Sequence, residues 1–343
     1  MRVRVLEISL ILIILPMAGA SASAHWQPTK ALPGLALSDG TMHPLLGYGT
    51  YKVGFVPASA SAAAGGQLSG EEGPSARDCV RAALEVGYRF LDCAQFYGNE
   101  AQVGAALRDA GVPRHELYLA SKVWTDTIFA GREAVRAQVV KTLADLGVET
   151  IDLYCIHWPV PGKHVDAYLE LEACQRDGLI RSLGVSNYAV EDYRELMGKA
   201  TVKPVINQIE VNPFLYRRRT IAAFEAEGVK IQSYRALRDG KAFGDPTVVS
   251  IAAAHGRTPA QVLGRWCVQK GVICIAKSVK RERMAENAQI FDFALTDEEV
   301  AQLDALTTDA AIGAFRELYR KCVNRDTPRA GTLDGVKMEI MEN

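Results

Sequence analysis

The sequence predicts a single (β/α)8 barrel. Eight short apolar runs alternate with amphipathic helical stretches along most of its 343 residues. Several of those runs are continuously apolar, as parallel strands covered on both faces are. The length suits one barrel as well as it suits two average domains. A doubly wound open sheet is the structural alternative, but eight strands with intervening helices close into one barrel more naturally than they divide into two sheets.

The strand-like runs fall at residues 46–49, 88–91, 117–121, 151–156, 180–185, 205–209, 229–233 and 272–275. Each is too short to make a helix of ordinary length. Helical periodicity marks 75–86, 132–146 and 259–270 between them. Residues 57–73 are rich in Ala, Ser and Gly without hydrophobic period, and read as a flexible loop insertion. The barrel is expected over 35–308. The tail over 309–343, which contains Phe315, Leu318, Tyr319 and Met338, is expected near the barrel mouth.

The N-terminus stands outside the fold. Arg2 and Arg4 precede an apolar run over 8–14, and Ala22-Ser23-Ala24 offers a small-residue cleavage site before His25. That order reads as a secretory signal peptide over 1–24, with a short leader over 25–34. An uncleaved signal anchor is the rival reading. The run is too short to span a bilayer comfortably, so no stable membrane span is expected after cleavage. Seven scattered cysteines without paired spacing argue against a disulfide framework. Cys93 and Cys155 lie in apolar runs, where a thiol is usually a small buried hydrophobe. These facts combine in an expected passage through the secretory pathway, ending either in secretion or the ER or in a reducing compartment such as a plastid reached by a bipartite signal.

Charge is nearly balanced, with 39 basic against 40 acidic side chains, so nucleic acid is not an expected partner. No HExxH or paired CxxC occurs and the six histidines are dispersed, so metal chemistry is not expected. The expected partner is a small-molecule carbonyl compound, and a monomer is the expected state.

In a barrel, reactive groups gather where strands end. Those positions hold Asp92, Lys122 and His157, with Tyr97 in the loop after Asp92. Taken singly, an Asp is usually solvated, a Lys superficial and a His structural. Together they suit hydride addition to a carbonyl, which creates an alkoxide in need of a proton. A Tyr is a sluggish donor at its ordinary pKa of about 10, and a neighbouring ammonium lowers that value. Lys122 is expected to do so, Asp92 to hold Lys122 charged, and His157 to hydrogen-bond the substrate carbonyl. A Schiff-base lysine at Lys122 or Lys277 would leave Asp92, Tyr97, His157 and Arg283 unexplained.

The same residues sit in ordered motifs. GYRFLDCAQFYGNEAQVGAAL over 87–107 resembles the first signature of the aldo-keto reductases. SKVW over 121–124, IDLYCIHWP over 151–159, GVSNY over 184–188 and NQIEVNP over 207–213 follow in the family's order. IAKSVKRERMAEN over 275–287 is similar to its cofactor signature. The resemblance covers residues 35–308 and implies a catalytic tetrad of Asp92, Tyr97, Lys122 and His157, with NADPH as the hydride source.

A Rossmann site is disfavoured, because GYGTYK over 47–52 lacks a third glycine. Lys277, Ser278 and Arg283 suit a 2′-phosphate, two cations and a hydroxyl, which favours NADPH over NADH. The resemblance implies that Ser186, Asn187 and Gln208 contact the nicotinamide amide and that Tyr234 stacks on its ring. Gly49, Thr50 and Tyr51 line the same end, and Leu237, Glu286 and Asn287 complete the cofactor set. Two departures stand out. Ala276 replaces the family's usual Pro, and Tyr234-Arg235-Ala236-Leu237 replaces its Tyr-Ser-Pro-Leu. Arg235 is either a pyrophosphate ligand, the favoured reading, or an exposed loop cation. Tyr51, Trp124, His157 and Trp158 are the expected substrate contacts, with Phe214 as an addition. The competing function is a cofactor-binding regulatory barrel without turnover.

Overall fold

A computed structural model describes residues 32–54 and 74–324, with side chains described up to Glu317. The leader, the Ala/Ser/Gly-rich insertion and the end of the tail, with Leu318, Tyr319 and Met338, lie outside that description. Two three-residue strands, β1 (Gly34–Ala36) and β2 (Met42–Pro44), pair antiparallel ahead of the barrel. The barrel strands are β3 (Leu46–Gly49), β4 (Phe90–Asp92), β5 (Tyr118–Val123), β6 (Ile151–Ile156), β7 (Ile180–Ser186), β8 (Ile206–Glu210), β9 (Lys230–Tyr234) and β10 (Ile273–Ala276). All pair in parallel, and β10 closes on β3, so no sheet edge is left in the barrel. The predicted closed barrel is what the chain forms, each strand lying within two residues of its expected run.

Four of the barrel helices begin at a side chain that caps them. In α1 (Ala76–Val86), Ser75 accepts from the Asp78 amide, and Gly87 ends the helix at φ 112°, a left-handed value that an L side chain rarely adopts. The outer ring continues through α2 (Glu100–Ala110), α3 (Thr125–Ala130), α4 (Arg132–Leu146), α5 (His164–Arg176), α6 (Val190–Met197) and α7 (Arg218–Ala226). It is completed by α8 (Pro246–Ala254), α9 (Pro259–Gln269), α10 (Arg281–Ala288) and α11 (Asp297–Asp304). Thr258 and Gln261 cap α9 reciprocally around Pro259, the arrangement a Thr-Pro-x-Gln sequence favours. Gly104 in α2 is a contact point: a β-carbon there would lie 2.1 Å from the Asp145 carbonyl oxygen of α4.

Beyond 308, residues Asp309–Asn324 form a helix, α12. Its Ile312 and Phe315 are buried, and the Arg217 guanidinium lies over the Phe315 ring at 4.7 Å. Arg217 precedes α7, so the helix packs beside the loop that follows β8.

Alternation along the strands sorts residues into two sets. Phe90, Ala120, Leu153, Cys155, Ile206, Ile273 and Ile275 form one apolar cluster with Tyr118 and Leu37. The larger cluster lies between strands and helices and includes Leu91, Leu119, Tyr154 and Trp266. The β1–β2 hairpin, which sequence reading missed, closes the end of the barrel where strands begin. Ser182, near the start of β7, donates to Asp39 at 2.6 Å, and the His43 ring sits 4.5 Å from Phe90 and 4.1 Å from Tyr118. Cys93 and Cys155 are buried, and the six described cysteines are all free thiols. Among the described residues no helix is long and apolar enough to cross a membrane.

Candidate active site

The residues predicted at the strand ends meet. Asp92 closes β4, Lys122 lies in β5, and a short 3-10 turn over Gln95–Tyr97 swings Tyr97 back over them. Lys122 is fully buried, and its ammonium donates to Asp92 Oδ1 at 2.8 Å, the Cys93 carbonyl at 2.8 Å and the Tyr97 hydroxyl at 3.2 Å. An ammonium has three protons, so all of them are engaged. Since the Tyr97 oxygen accepts from Lys122, the phenolic proton is left to point elsewhere. His157 completes the group, its ring 5.9 Å from that of Tyr97 and nearly perpendicular to it.

Electrostatics refine the expected roles. Burial would drive the Lys122 ammonium down, but Asp92 and the Tyr97 oxygen hold it above its ordinary value. Tyr97 departs from expectation. Burial pushes its phenol up, and the Lys122 ammonium pulls down without overcoming that push, so the net shift is upward rather than the predicted lowering. Desolvation wins because Tyr97 is buried and ionising it would add an anion to a site that already holds Asp92. Burial, reinforced by Lys122, keeps His157 neutral, well below its ordinary value, and its Nδ1 has no hydrogen-bond partner.

Aromatic rings wall this centre. Trp124 stacks on Phe96 at 3.9 Å and meets the His157 ring edge-on at 4.9 Å, while Tyr51 lies 5.1 Å from Tyr97. Trp158 is buried beside His157 in sequence. Phe214 is partly buried against the core, with the Arg238 guanidinium 5.5 Å from the centre of its ring. Sequence reading missed Phe96, Gln95 and Asn99. Gln95 accepts from the Trp124 amide at 2.8 Å and donates to Thr127 at 2.7 Å, tying the two loops together. Asn99 donates to the carbonyls of Thr50 and Val53, fixing the loop after β3. Their signal was adjacency to Tyr97, in the loop that the strand-end rule already singled out.

The expected nicotinamide contacts cluster on β7, β8 and β9, bound to one another. Ser186 donates to the Gln208 carbonyl at 2.9 Å. Asn187, at φ 61°, accepts from the Tyr234 hydroxyl at 2.7 Å and donates to the His157 carbonyl at 3.0 Å. Gln208 donates to Asp92 Oδ1 at 2.8 Å, which links this cluster to the tetrad. Thr50 is buried and donates to the Asp92 carbonyl, and a β-carbon on Gly49 would come within 2.9 Å of Ile275. Leu237 packs partly buried against the core at the start of a 3-10 turn.

Lys277 and Ser278 follow β10 directly, and Arg283 lies exposed in the first turn of α10. Lys277 keeps solvent-exposed surface, yet the protein packed around its ammonium lowers its pKa, with Asp239 opposing and the like charge of Lys52 adding to the effect. A crowded pair of cations of this kind is what a phosphate neutralises, so the residues fit the expected anionic end of a cofactor. Asn287 is buried close by, while Glu286 accepts from Thr258 at 2.7 Å and so clips α10 to α9. Arg235 is neither a free cation nor a plain surface one. Its guanidinium donates to Glu210 at 3.0 Å and Asp239 at 3.2 Å, in a loop where Arg235, Arg238 and Asp239 all have left-handed φ near 53°. Burial raises the Glu210 carboxyl, Arg235 offsetting part of that, so the pair neutralises a buried acid.

Residues 60–308 match the Aldo/keto reductase family. The chain is 36% identical over 286 residues to a glyoxal reductase of Bacillus subtilis, covering 83% of this chain and 97% of that one. It is 38% identical over 292 residues to an aldo-keto reductase of a Mycobacterium species, covering 84% and 95%. A solved Bombyx mori aldo-keto reductase in complex with NADP superposes with a TM-score of 0.72 at 30% identity, covering 81% of this chain and 94% of that one.

Proposed function

The chain belongs to the aldo/keto reductase family, and from that membership we propose that it reduces aldehydes or ketones to alcohols, with Tyr97 as the proton donor. It is an NADP-dependent oxidoreductase; when bound, NADPH supplies the hydride. The observation that carries the role of Tyr97 is the saturated Lys122 ammonium. Because Lys122 donates to the phenolic oxygen, Tyr97 has its own proton to give. Burial keeps that phenol protonated at neutral pH, so the acid form is the resident one. The phenolate left after transfer sits 3.2 Å from a fixed positive charge, which offsets its desolvation.

His157, neutral in its buried setting, orients the substrate oxygen by a hydrogen bond rather than by charge. Trp124, Phe96, Tyr51 and Trp158 exclude water from that oxygen and supply apolar contact. Such walls discriminate poorly between close analogues, so several carbonyl compounds should be accepted. Lys277, Ser278 and Arg283 hold the phosphate of the adenosine end. Residues 1–24 direct the chain into the secretory pathway, and the mature barrel works as a monomer.

Tyr97→Phe tests the assignment. NADPH consumption against a panel of aldehydes and ketones is expected to fall by about 10²–10⁴-fold, the usual worth of a positioned general acid. NADPH binding, followed by fluorescence titration, should be retained. Wild-type protein that binds NADPH yet reduces nothing on a broad panel would favour a regulatory, non-catalytic barrel.

A further inference from the structure

A buried polar line runs through the barrel from its closed end to the tetrad. At the closed end, His43 is fully buried in β2, and its Nδ1 lies 2.7 Å from the Pro44 carbonyl oxygen. A carbonyl only accepts, so Nδ1 carries the proton, and a neutral ring then offers an acceptor at Nε2. Gln232 Nε2 lies 2.9 Å from that nitrogen and donates to it. The Gln232 oxygen therefore faces the other way, where it accepts from Gln208 Nε2 on the neighbouring strand. The second proton of Gln208 Nε2 goes to Asp92 Oδ1 at 2.8 Å.

Each amide orientation in this line is dictated by the partner below it. Both Gln208 protons are spent, so its side-chain oxygen is the atom left to receive a donor. Gln208, Gln232 and His43 are all 2% exposed or less, so water does not compete for these groups.

We propose that His43 and Gln232 are positioning residues for cofactor recognition: they lock the Gln208 amide with its nitrogen on Asp92 and its oxygen turned to the carboxamide NH2 of the nicotinamide. This rests on the reading of Gln208 as a nicotinamide contact. Burial lowers the His43 imidazole to about 3, which keeps the ring neutral and the polarity of the line constant at any working pH. A side-chain amide without such a lock can rotate by half a turn and present NH2 to NH2, which loses the contact. The His43 ring lies against Phe90 and Tyr118, and Gln232 stands in register with Ile273 of β10, so both polar side chains come from apolar neighbourhoods.

The test is the dissociation constant of NADPH, by fluorescence titration, for full-length wild type, Gln232→Met, His43→Met, His43→Gln, Gln208→Ala and Gln208→Ala/Gln232→Met. Thermal melts establish that each is folded. Gln232→Met and His43→Met are expected to weaken NADPH about tenfold, the worth of roughly one hydrogen bond. His43→Gln, which keeps an acceptor at the reach of the imidazole Nε2, should bind as wild type does. Gln232→Met should have no further effect once Gln208 is Ala. Unchanged affinity in both Met variants overturns the proposal, as does an equal loss in the Gln208→Ala background or in His43→Gln, since each would mark a merely structural role. Should Gln232→Met not fold, the contrast between His43→Met and His43→Gln decides alone. Wild type that fails to bind NADPH would overturn the reductase reading as well; wild type that binds, with every variant alike, overturns only this inference.

Discussion

Lys122→Met removes a charge while nearly preserving volume, and its cost can be worked from the site. The ammonium is fully buried and makes three hydrogen bonds, one of them 2.8 Å to Asp92. Without it, Asp92 is a carboxylate 3% exposed, supported by Gln208 alone. Breaking a buried ion pair from one side costs about 3–5 kcal/mol, because the remaining charge is left without compensation. In a barrel of this size that corresponds to a fall in melting temperature of roughly 10 °C. Most of the penalty belongs to the orphaned carboxylate rather than to lost attraction. Lys122→Met/Asp92→Asn should therefore be more stable than Lys122→Met by at least about 1–2 kcal/mol. Calorimetric or urea unfolding of wild type and the three variants, including Asp92→Asn, completes the cycle. A double variant no more stable than Lys122→Met would refute the reasoning, and would mean that Lys122 stabilises through packing.

Other consequences concern the same scaffold. His43 titrates at about 3 in the folded chain against about 6.5 unfolded, so below pH 6.5 the unfolded state binds the extra proton. Stability is thus present in full above the unfolded value and is lost as pH falls from 6.5 towards 3. Between pH 7 and pH 5 this one group should remove about 2 kcal/mol. Urea unfolding at both pH values should show that slope reduced by this amount in His43→Met, and an unchanged slope would contradict the buried neutral ring. Gly104→Ala would set a methyl group against the Asp145 carbonyl oxygen, a backbone atom that cannot swing aside. A loss of about 1–3 kcal/mol is expected by chemical denaturation, and wild-type stability would show that the α2–α4 contact yields.

The course of the chain was legible because parallel strands in a covered barrel are continuously apolar and their ends follow directly. That reading brought Asp92, Lys122 and His157 to one rim before any contact was known, and the loop position of Tyr97 followed from the same rule. The helix over 76–86 was equally legible, since an amphipathic period needs no distant partner to reveal it. Three-residue strands carry too little period to be seen, which is why the β1–β2 hairpin was missed. The pairing of Arg235 with Glu210 was invisible because one lies in the loop after β9 and the other at the end of β8, and they share no motif. The direction of the Tyr97 shift also needed the fold: the sequence names the ammonium that pulls it down, but the burial that outweighs it is a property of the whole loop. Local patterning thus determined by itself the eight barrel strands and brought Asp92, Lys122 and His157 to their ends. Only the tertiary structure decided how polar groups are paired across the barrel, as between His43 and Gln232, 189 residues apart. Hydrogen bonds depend on positions in space, and ring closure brings together residues whose separation along the chain carries no signal.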